Sequence, residues 1–266
     1  MEVLLLKRNE DDTWETLVKP GKRAKIGNRF DFGDGKVWYK SHRNGPTGIG
    51  KTFEDLLEKK EDNLPLPDFH QIELKAHDQA KNSYITLFTK SPNVPRGVNT
   101  LLRERYGYKD INSDQKILHT SVTSKMQFNA KSNRYFMIVN DPERESLILR
   151  VYTHSKELIK DDFIAEWSYD ILKKSLNNKL KTLAVINSST KVYNKIKYYS
   201  YDNIKIIYAL SLEQLLAALE DQKLIVDLRL GVYHYGKNLG KTHDHGTGFR
   251  IKYNDLLQYA YTEKLD

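Results

Sequence analysis

The residues at positions 72–75 constrain the fold and the chemistry of this chain more than any other short segment. They read Ile-Glu-Leu-Lys, an alternation of apolar and charged side chains. Because side chains alternate between the two faces of a β-strand, the segment is predicted to be a strand with Glu73 and Lys75 on one face. The two apolar side chains are then expected to point into a core.

Two carboxylates and one ammonium group on a single surface can hold a divalent cation and activate a water molecule. Asp68 lies just upstream of the strand, and a bend in the chain would bring its carboxylate beside Glu73. Carboxylate oxygens suit Mg²⁺, which needs only one or two protein carboxylates, and Lys75 can orient the attacking water. The pattern predicts a metal-dependent phosphodiesterase site with Asp68 and Glu73 as metal ligands. A surface strand with alternating charges is the alternative, because the pattern is short.

Composition narrows the class of protein. The 266 residues suffice for one large domain or two small ones. A net charge of +8 and 17 tyrosines favour a polyanionic partner, since Lys and Arg neutralise phosphates and Tyr can stack on bases. Cysteine is absent, which excludes disulfides and thiolate zinc sites. No apolar run approaches the length of a membrane span and no secretory signal is recognised, so a cytoplasmic protein without a membrane partner is expected.

Residues 45–52, Gly-Pro-Thr-Gly-Ile-Gly-Lys-Thr, match the phosphate-loop pattern G-x-x-x-x-G-K-[ST] letter for letter. That motif requires a buried strand before it and a helix after it, but residues 37–43 are short and basic. The plainer interpretation is that Thr52 caps a helix and Asp55 completes a capping box. Glu54 then lies in the first turn, where it compensates the helix dipole or serves as a further acidic group beside the metal site. A nucleotide-binding loop stays open as the alternative.

The remaining segments read as an alternation of strands and helices. Runs of apolar and β-branched residues predict strands, and helical periodicity after a capping residue predicts helices. Residues 109–133 are polar and are predicted to be loop-rich. Strands are predicted over residues 83–90, 134–139, 146–153, 182–186, 191–210 and 224–234. Helices are predicted over residues 168–180, 211–221 and 254–261.

Polar and charged side chains converge in residues 224–250. Asp227 and Arg229 are expected on one strand face with Tyr233. Arg reads guanine, Asp accepts from the cytosine amino group, and His contacts bases or phosphates, so the segment predicts a DNA-reading surface. The two histidines of His-Asp-His could instead bind zinc, although further ligands at an obvious spacing are missing, and a polar hairpin end is the third interpretation. The candidate DNA-binding residues are Asp227, Arg229, Tyr233, His234, His243, Asp244, His245 and Arg250.

Several blocks of sequence are too long and too well ordered to be coincidental. They are Thr47-Gly-Ile-Gly-Lys-Thr-Phe-Glu-Asp-Leu-Leu-Glu58, Pro67-Asp-Phe-His70, Ile72-Glu-Leu-Lys75, Val226-Asp-Leu-Arg-Leu-Gly231 and Gly240-Lys-Thr-His-Asp-His-Gly-Thr-Gly-Phe-Arg-Ile251. With them, the chain from about residue 38 onwards resembles the MvaI/BcnI family of type II restriction endonucleases.

The resemblance implies an α+β (mixed α/β) fold like that of the mismatch-repair nicking endonuclease MutH, a mixed sheet flanked by helices with two lobes around a DNA cleft. It implies Mg²⁺-dependent hydrolysis of both strands of double-stranded DNA at a short site, CC(A/T)GG by closeness of match. Asp68, Glu73 and Lys75 fall on the family's catalytic positions, and Glu54 falls on the acidic position of the preceding helix. A monomer and a cognate DNA methyltransferase in the same prokaryotic system are also implied.

The first 37 residues depart from that family. Their short β-like segments resemble part of the tRNA ribosyltransferase-isomerase of queuosine synthesis, of which they cover only a fraction. We therefore predict a small β-rich segment over residues 1–37 and an endonuclease over residues 38–266. Within the endonuclease, a catalytic lobe is predicted at about residues 38–160 and a recognition lobe at about residues 161–266.

Three other functions fit parts of the sequence. A MutH-like repair nickase would share the catalytic trio but cut one strand and need a partner protein. A phosphate-loop ATPase would depend on Lys51. A non-catalytic, sequence-specific DNA-binding protein would recognise a site and leave both strands intact.

Overall fold

The computed structural model describes residues 2–8, 14–19, 36–57, 72–78, 80–81, 83–111, 113–208 and 210–264. The chain divides into two compact units, Met1–Val37 and Trp38–Asp266. In the first unit, strands β1 (Glu2–Arg8) and β2 (Trp14–Lys19) form an antiparallel pair. Everything described below belongs to the second unit.

Five α-helices occur in the described part of the second unit. Serines precede two of them: Ser168 precedes α3 without a side-chain capping bond, and Ser211 forms a capping box with Gln214 at the start of α4. The capping box satisfies backbone N–H groups that have no partner within the helix. Among these helices, none has the length and apolar character to cross a membrane. The helices are α1 (Gly48–Leu56), α2 (Val98–Tyr106), α3 (Tyr169–Lys179), α4 (Leu212–Glu220) and α5 (Tyr253–Tyr259).

A five-stranded sheet carries the predicted catalytic strand, β4. The sheet has the order β17-β13-β12-β4, and β3 also pairs with β13. Strand β4 lies parallel to β12, from Leu183 opposite Glu73 to Ser188 opposite Asp78. The strands are β3 (Tyr39–Lys40), β4 (Glu73–Asp78), β12 (Thr182–Tyr193), β13 (Ile196–Tyr208) and β17 (Tyr261–Lys264).

A six-stranded antiparallel sheet carries most of the predicted DNA-binding residues. Its order is β5-β16-β14-β7-β6, with β15 also paired to β14. The prediction that residues 109–133 are loop-rich is wrong, because β7 is a full strand in which Leu118, Thr120 and Val122 are buried. The strands are β5 (Tyr84–Thr89), β6 (Tyr108–Lys109), β7 (Lys116–Val122), β14 (Leu224–Val232), β15 (Thr242–Asp244) and β16 (Gly248–Lys252).

A four-stranded antiparallel sheet completes the second unit. Its order is β11-β10-β9-β8. The pairing of β9 with β10 confirms the strands predicted over residues 134–139 and 146–153. Its strands are β8 (Gln127–Asn129), β9 (Arg134–Asp141), β10 (Ser146–Tyr152) and β11 (Ala165–Ser168).

Two apolar clusters hold these layers together. The larger one includes Trp167, whose ring meets Phe249 edge-on at 6.0 Å and whose indole N–H donates to the Lys90 carbonyl at 2.9 Å, so that a large apolar side chain is buried with its polar atom satisfied. The smaller one lies beneath α1, where Phe53 and Leu74 pack against it. Consequently the five-stranded sheet is covered on both faces, since side chains of β12 enter both clusters.

The order of the strands bears on the predicted lobes. The five-stranded sheet combines β4 with β12 and β13, and the six-stranded sheet combines β5 and β7 with β14 and β16. Each sheet therefore takes strands from both sides of residue 160. The boundary between catalytic and recognition lobes stays a prediction.

Candidate active site and nucleic-acid interface

Glu73 and Lys75 form a charged pair on β4, on the strand face predicted from the alternation. The Glu73 side chain is 5% exposed and that of Lys75 is 26% exposed. The Lys75 ammonium donates to Glu73 Oε1, and Lys179, the last residue of α3, donates to Oε2 at 3.2 Å. Both oxygens of one buried carboxylate are thus held by ammonium groups.

The parallel register explains why this carboxylate is buried. Glu73 lies level with Leu183 of β12, a member of the larger apolar cluster, while Leu74 packs on the opposite face against the smaller cluster. Because β4 is covered on both sides at Glu73, this carboxylate has little access to solvent. Burying a charge is costly unless it is paired, and the two lysines supply that pairing.

Glu54 lies in α1 and lines a cavity together with Lys75, Tyr84 and Thr86. The helix begins at Gly48, so the prediction that Glu54 stands in its first turn is wrong. Glu54 instead occupies the second half of the helix, next to the cavity that contains the Lys75 side chain. Asp68, the other predicted metal ligand, lies outside the described residues.

The predicted capping box at Thr52 is wrong as well. Thr52 is buried inside α1, where its hydroxyl donates to the Gly48 carbonyl at 2.7 Å and accepts from the His42 backbone N–H at 3.0 Å. Asp55 bonds to Lys51 at 2.6 Å and to His42 Nδ1 at 2.9 Å. The helix starts four residues earlier than predicted, so both residues fall inside it and form tertiary contacts.

The phosphate-loop match lacks its structural context. Before α1, the described residues from 36 onwards contain only the exposed two-residue strand β3, where the motif requires a buried strand. The ammonium of Lys51, which would have to reach a phosphate, is paired with Asp55. The glycine-rich segment therefore serves as the connection into α1.

The described residues supply only part of the oxygen donors that a hard divalent cation would need at the active site. Among them, no three His, Cys, Asp or Glu side chains are grouped as metal ligands. Glu73 supplies one buried carboxylate with oxygen donors, and Mg²⁺ requires only one or two such groups because it keeps several waters. Asp68 would supply the second.

The outer face of β14 carries Asp227 and Arg229, alternating with buried leucines. Asp227 accepts from Ser121 Oγ at 2.8 Å and pairs with Arg250 at 3.0 Å. Arg229 donates through Nε and Nη2 to the Gly246 carbonyl, at 3.0 and 2.6 Å. Three of the predicted DNA-binding side chains are therefore brought together and held in fixed orientations by their neighbours.

Asp244 has a different position from the other predicted DNA-binding residues. One carboxylate oxygen accepts from the Gly246 N–H at 2.8 Å, and the other accepts from Ser91, from Asn99 at 3.1 Å and from Thr247 at 3.1 Å. These contacts join the loop after β5, helix α2 and the turn after β15. The carboxylate therefore uses its hydrogen-bonding capacity within the fold, where it fixes the turn that carries His245.

Aromatic rings cluster beside Arg229. Tyr233 stacks on His243 with centroids 4.3 Å apart and an interplanar angle of 19°, and His243 contacts His245 at 4.2 Å. His119 of β7, directly opposite Arg229 in the sheet, meets His245 edge-on at 6.3 Å. Desolvation, together with the nearby histidines and the Arg229 guanidinium, lowers the pKa of His245, so its ring is neutral near neutral pH.

His234 is separate from this ring cluster. Its Nε2 stands 3.7 Å from Asp110 Oδ2, and its side chain is exposed. The structure thus places it near the turn after β6, outside the ring cluster.

The two groups of residues face adjoining cavities. One cavity is lined by Lys75 and Glu54, the other by Arg229 and Arg250, and both share Tyr84 and Thr86 of β5. The guanidinium of Arg250 lies 5.8 Å above the ring of Tyr84. The cavity lined by Lys75, the partner of Glu73, therefore adjoins the cavity lined by Arg229 and Arg250.

Sequence reasoning missed Lys179, His119 and Ser121. Lys179 lies at the end of a helix that is far from β4 in sequence, and no local pattern signals its contact with Glu73. His119 and Ser121 could have been found, because they alternate with Leu118, Thr120 and Val122 in the period-two pattern of a half-buried strand.

The fold and the site define a nuclease of the restriction-endonuclease type, and comparisons with known proteins agree. The model of the MvaI/BcnI restriction endonuclease family matches residues 31–259. The chain belongs to this family, and its enzymatic class is that of a site-specific deoxyribonuclease.

Two solved structures support the assignment. A complex of the restriction endonuclease MvaI with cognate DNA is 45% identical, with a TM-score of 0.77, and the match covers 87% of this chain and 92% of that one. MvaI in the absence of DNA is 44% identical, with a TM-score of 0.62, over 88% and 92% of the respective chains. The α+β fold predicted from the sequence is confirmed; the likeness to MutH stays a prediction.

A second resemblance is partial. The S-adenosylmethionine:tRNA ribosyltransferase-isomerases of Clostridioides difficile (strain 630) and Clostridium kluyveri (strain NBRC 12016) are both 39% identical, over 103 and 97 residues. The match covers 34% of this chain, which is more than its first 37 residues, and the chain spans only 27% of the length of either relative.

Proposed function

We propose that this protein is a Mg²⁺-dependent type II restriction endonuclease that hydrolyses both strands of double-stranded DNA at a short site, CC(A/T)GG. One observation carries the proposal. Lys75, which is paired with the buried carboxylate of Glu73, lines one cavity together with Glu54. Arg229 and Arg250 line an adjoining cavity that shares Tyr84 and Thr86 with it. Cutting chemistry and base-reading chemistry therefore face connected cavities.

Glu73 and Asp68 are the residues that would hold the metal ion, and Glu54 adds negative charge from α1. When bound, Mg²⁺ supplies positive charge to the scissile phosphate and lowers the pKa of a water molecule. Lys75 has a separate role, because its ammonium, already directed along the buried carboxylate, orients the attacking water and balances charge that develops on the phosphate oxygens. Attack on phosphorus expels the 3′-oxygen, which takes up a proton, so the products carry 5′-phosphate and 3′-hydroxyl ends.

The exposed face of the six-stranded sheet supplies the sequence preference. Arg229 and Arg250 suit guanine O6 and N7, and Asp227 suits the cytosine amino group. Arg250 and Asp227 are paired through Nη1 and Oδ2 at 3.0 Å, so a donor and an acceptor stand side by side on this face. His243, which stacks on Tyr233, and His245, whose ring contacts His243, present further donors and acceptors to the DNA. His234 lies at the edge of this face.

The biological setting follows from the activity. An enzyme that cuts both strands at a short site endangers its own genome, so we assign it a cognate DNA methyltransferase that protects the same sites in a prokaryotic cytoplasm. The protein acts as a monomer that cuts the two strands in turn.

The test is cleavage of a supercoiled plasmid that contains CC(A/T)GG sites. Linear fragments with Mg²⁺, none with EDTA and none from the Asp68→Ala protein support the mechanism, and sequencing of the ends reports the site and the stagger. Persistent nicked circles without linear product indicate a nickase. Cleavage that survives chelation contradicts the assigned metal chemistry.

A further inference from the structure

The β12–β13 hairpin extends beyond the ends of its neighbouring strands β4 and β3. Strand β4 ends opposite Ser188, whereas β12 and β13 remain paired as far as Tyr193 and Ile196. The five steps along the strand from Ser188 to Tyr193 span about 17 Å at about 3.3 Å per residue, the length of about five base pairs of duplex DNA. On its other side the hairpin is braced by β3, which pairs with Tyr198 and Tyr199, opposite Lys191 and Thr190. Residues 192–197 therefore extend past both of these neighbouring strands.

The tip of this hairpin, residues 191–197, is exposed, and all of its charged residues are lysines. All seven residues are exposed, and residues 188–201 contain three lysines and no Asp or Glu. Val192 is 64% exposed and Tyr193 66% exposed. An isolated two-stranded hairpin is only marginally stable in water. Large apolar side chains exposed on such a hairpin are unfavourable unless a binding partner covers them.

The turn of the hairpin is well defined. Asn194 and Lys195 both have positive φ, 48° and 63°, the arrangement of a two-residue turn that matches the right-handed twist of the strands. The Lys191 ammonium lies 4.0 Å above the ring of Trp38. The lysines are therefore carried on an ordered structure that can present them to a surface.

The hairpin adjoins the proposed DNA cleft. Thr190 and Lys197 line the same cavity as Arg229 and Arg250, and Thr190 donates to the carboxylate of Asp78 at 2.7 Å. The strands that carry these residues run from the cavity to the tip without interruption.

From these observations we infer that residues 191–197 contact duplex DNA outside the recognition site. Lys191, Lys195 and Lys197 bind backbone phosphates, and the apolar side chains Val192 and Tyr193 lie against sugars. The inference rests on the proposed function and deepens it: the hairpin adds affinity that does not depend on base sequence, because phosphate contacts carry no sequence information.

The experiment compares wild type with the triple variant Lys191→Gln, Lys195→Gly, Lys197→Gln. Glycine is chosen at position 195 because the turn requires positive φ there. The matched control is Lys125→Gln, Lys156→Gly, Lys160→Gln, three exposed lysines in loops beside the four-stranded sheet. Glycine is used at position 156 because φ is positive there too, 65°. Lys156 lies 5.6 Å above Tyr135, which parallels Lys191 over Trp38, and none of the three lines the two cavities.

Binding to labelled duplexes is measured in EDTA by fluorescence anisotropy, across a salt series and on two duplexes that differ by about five flanking base pairs on each side of the site. Each phosphate contact contributes about 0.9 to the slope of log affinity against log salt. The triple variant is expected to lose two to three such contacts from the salt slope and to bind the long duplex at least about tenfold more weakly than wild type does. Its affinity for the short duplex should equal its affinity for the long one. The control variant keeps the slope and the flank dependence of wild type.

Retention of the wild-type slope and flank dependence by the triple variant overturns the inference, provided that wild type cleaves plasmid DNA. Sedimentation supplies a second criterion: a wild-type dimer that Tyr193→Ser dissociates would assign the tip to a second copy of the chain and also overturn it. Absence of DNA binding and cleavage by wild type refutes the proposed function instead, so the two failures are distinguishable.

Discussion

The charged residues of β4 and those of β14 are held in opposite ways. On β4, Glu73 is buried and both of its oxygens are paired with lysines. On β14, Asp227 and Arg229 lie on the outer face of a sheet and are oriented by a serine, an arginine and a backbone carbonyl. A buried charge must be neutralised within the fold, whereas a charge on an open face can be left available to a ligand.

This difference assigns separate consequences to substitutions in the two regions. Changes on β4 alter a buried electrostatic network and are expected to stop chemistry while DNA binding persists. Changes on the outer face of β14 are expected to alter the choice of DNA sequence while the chemistry persists.

Glu73→Gln should give the largest effect. The amide keeps the shape of the side chain but removes the negative charge that would bind metal and balance two lysines, so single-turnover cleavage is expected to fall by about 10³-fold or more. Anisotropy with the cognate duplex should show binding within a few-fold of wild type. Equal losses of binding and cleavage would mean that substitutions on β4 do not affect the chemistry separately from DNA binding.

Asp227→Asn is expected to relax sequence preference. The amide still accepts from Ser121 but no longer neutralises Arg250, and a well-made base contact contributes about 1–3 kcal/mol of discrimination. The ratio of kcat/KM for the cognate site to that for single-base variants should therefore fall about 10- to 100-fold. Cleavage of all sites reduced by the same factor would argue that Asp227 only supports the fold.

Lys179→Met should have a smaller effect on chemistry. Glu73 loses one ammonium partner and keeps Lys75, so its carboxylate is less firmly placed, and a drop of about tenfold in single-turnover rate is expected. Lys181→Met, two residues further on and exposed, is the control. Identical rates for the two variants would show that the helix contact does not position the carboxylate.

The smallest effect concerns His77, which is buried on β4 against Tyr253. Burial lowers the pKa of His77 below its ordinary value of 6.5. As the pH falls below 6.5, His77 takes up a proton in the unfolded chain but not yet in the folded protein. The free energy of unfolding therefore decreases as the pH falls from 6.5 to the pKa of His77 in the folded protein. Urea unfolding at several pH values should show this decrease in wild type and a shallower one in His77→Gln. The exposed His154→Gln should follow wild type; a shallower slope there as well would assign the effect elsewhere.

Much of the site could be predicted because its signals are local. Period-two alternation placed Glu73 with Lys75 and Asp227 with Arg229 on shared strand faces, and the structure has both arrangements. Most strands and helices were also predicted, since apolar patterns and capping serines act over a few residues. The start of α1 was missed because a phosphate-loop pattern and a threonine at position 52 suggested a later boundary.

What the sequence by itself determined is the chemistry: a carboxylate beside a lysine on one strand, and a basic, aromatic segment suited to DNA. The tertiary structure decided how that chemistry is arranged. Parallel pairing with β12 buried Glu73 and brought Lys179 to it from a distant helix, and antiparallel pairing of β7 with β14 placed His119 and Ser121 opposite Arg229 and Asp227. Such contacts arise from strand register and layer packing between segments far apart in the chain, and no local pattern encodes them.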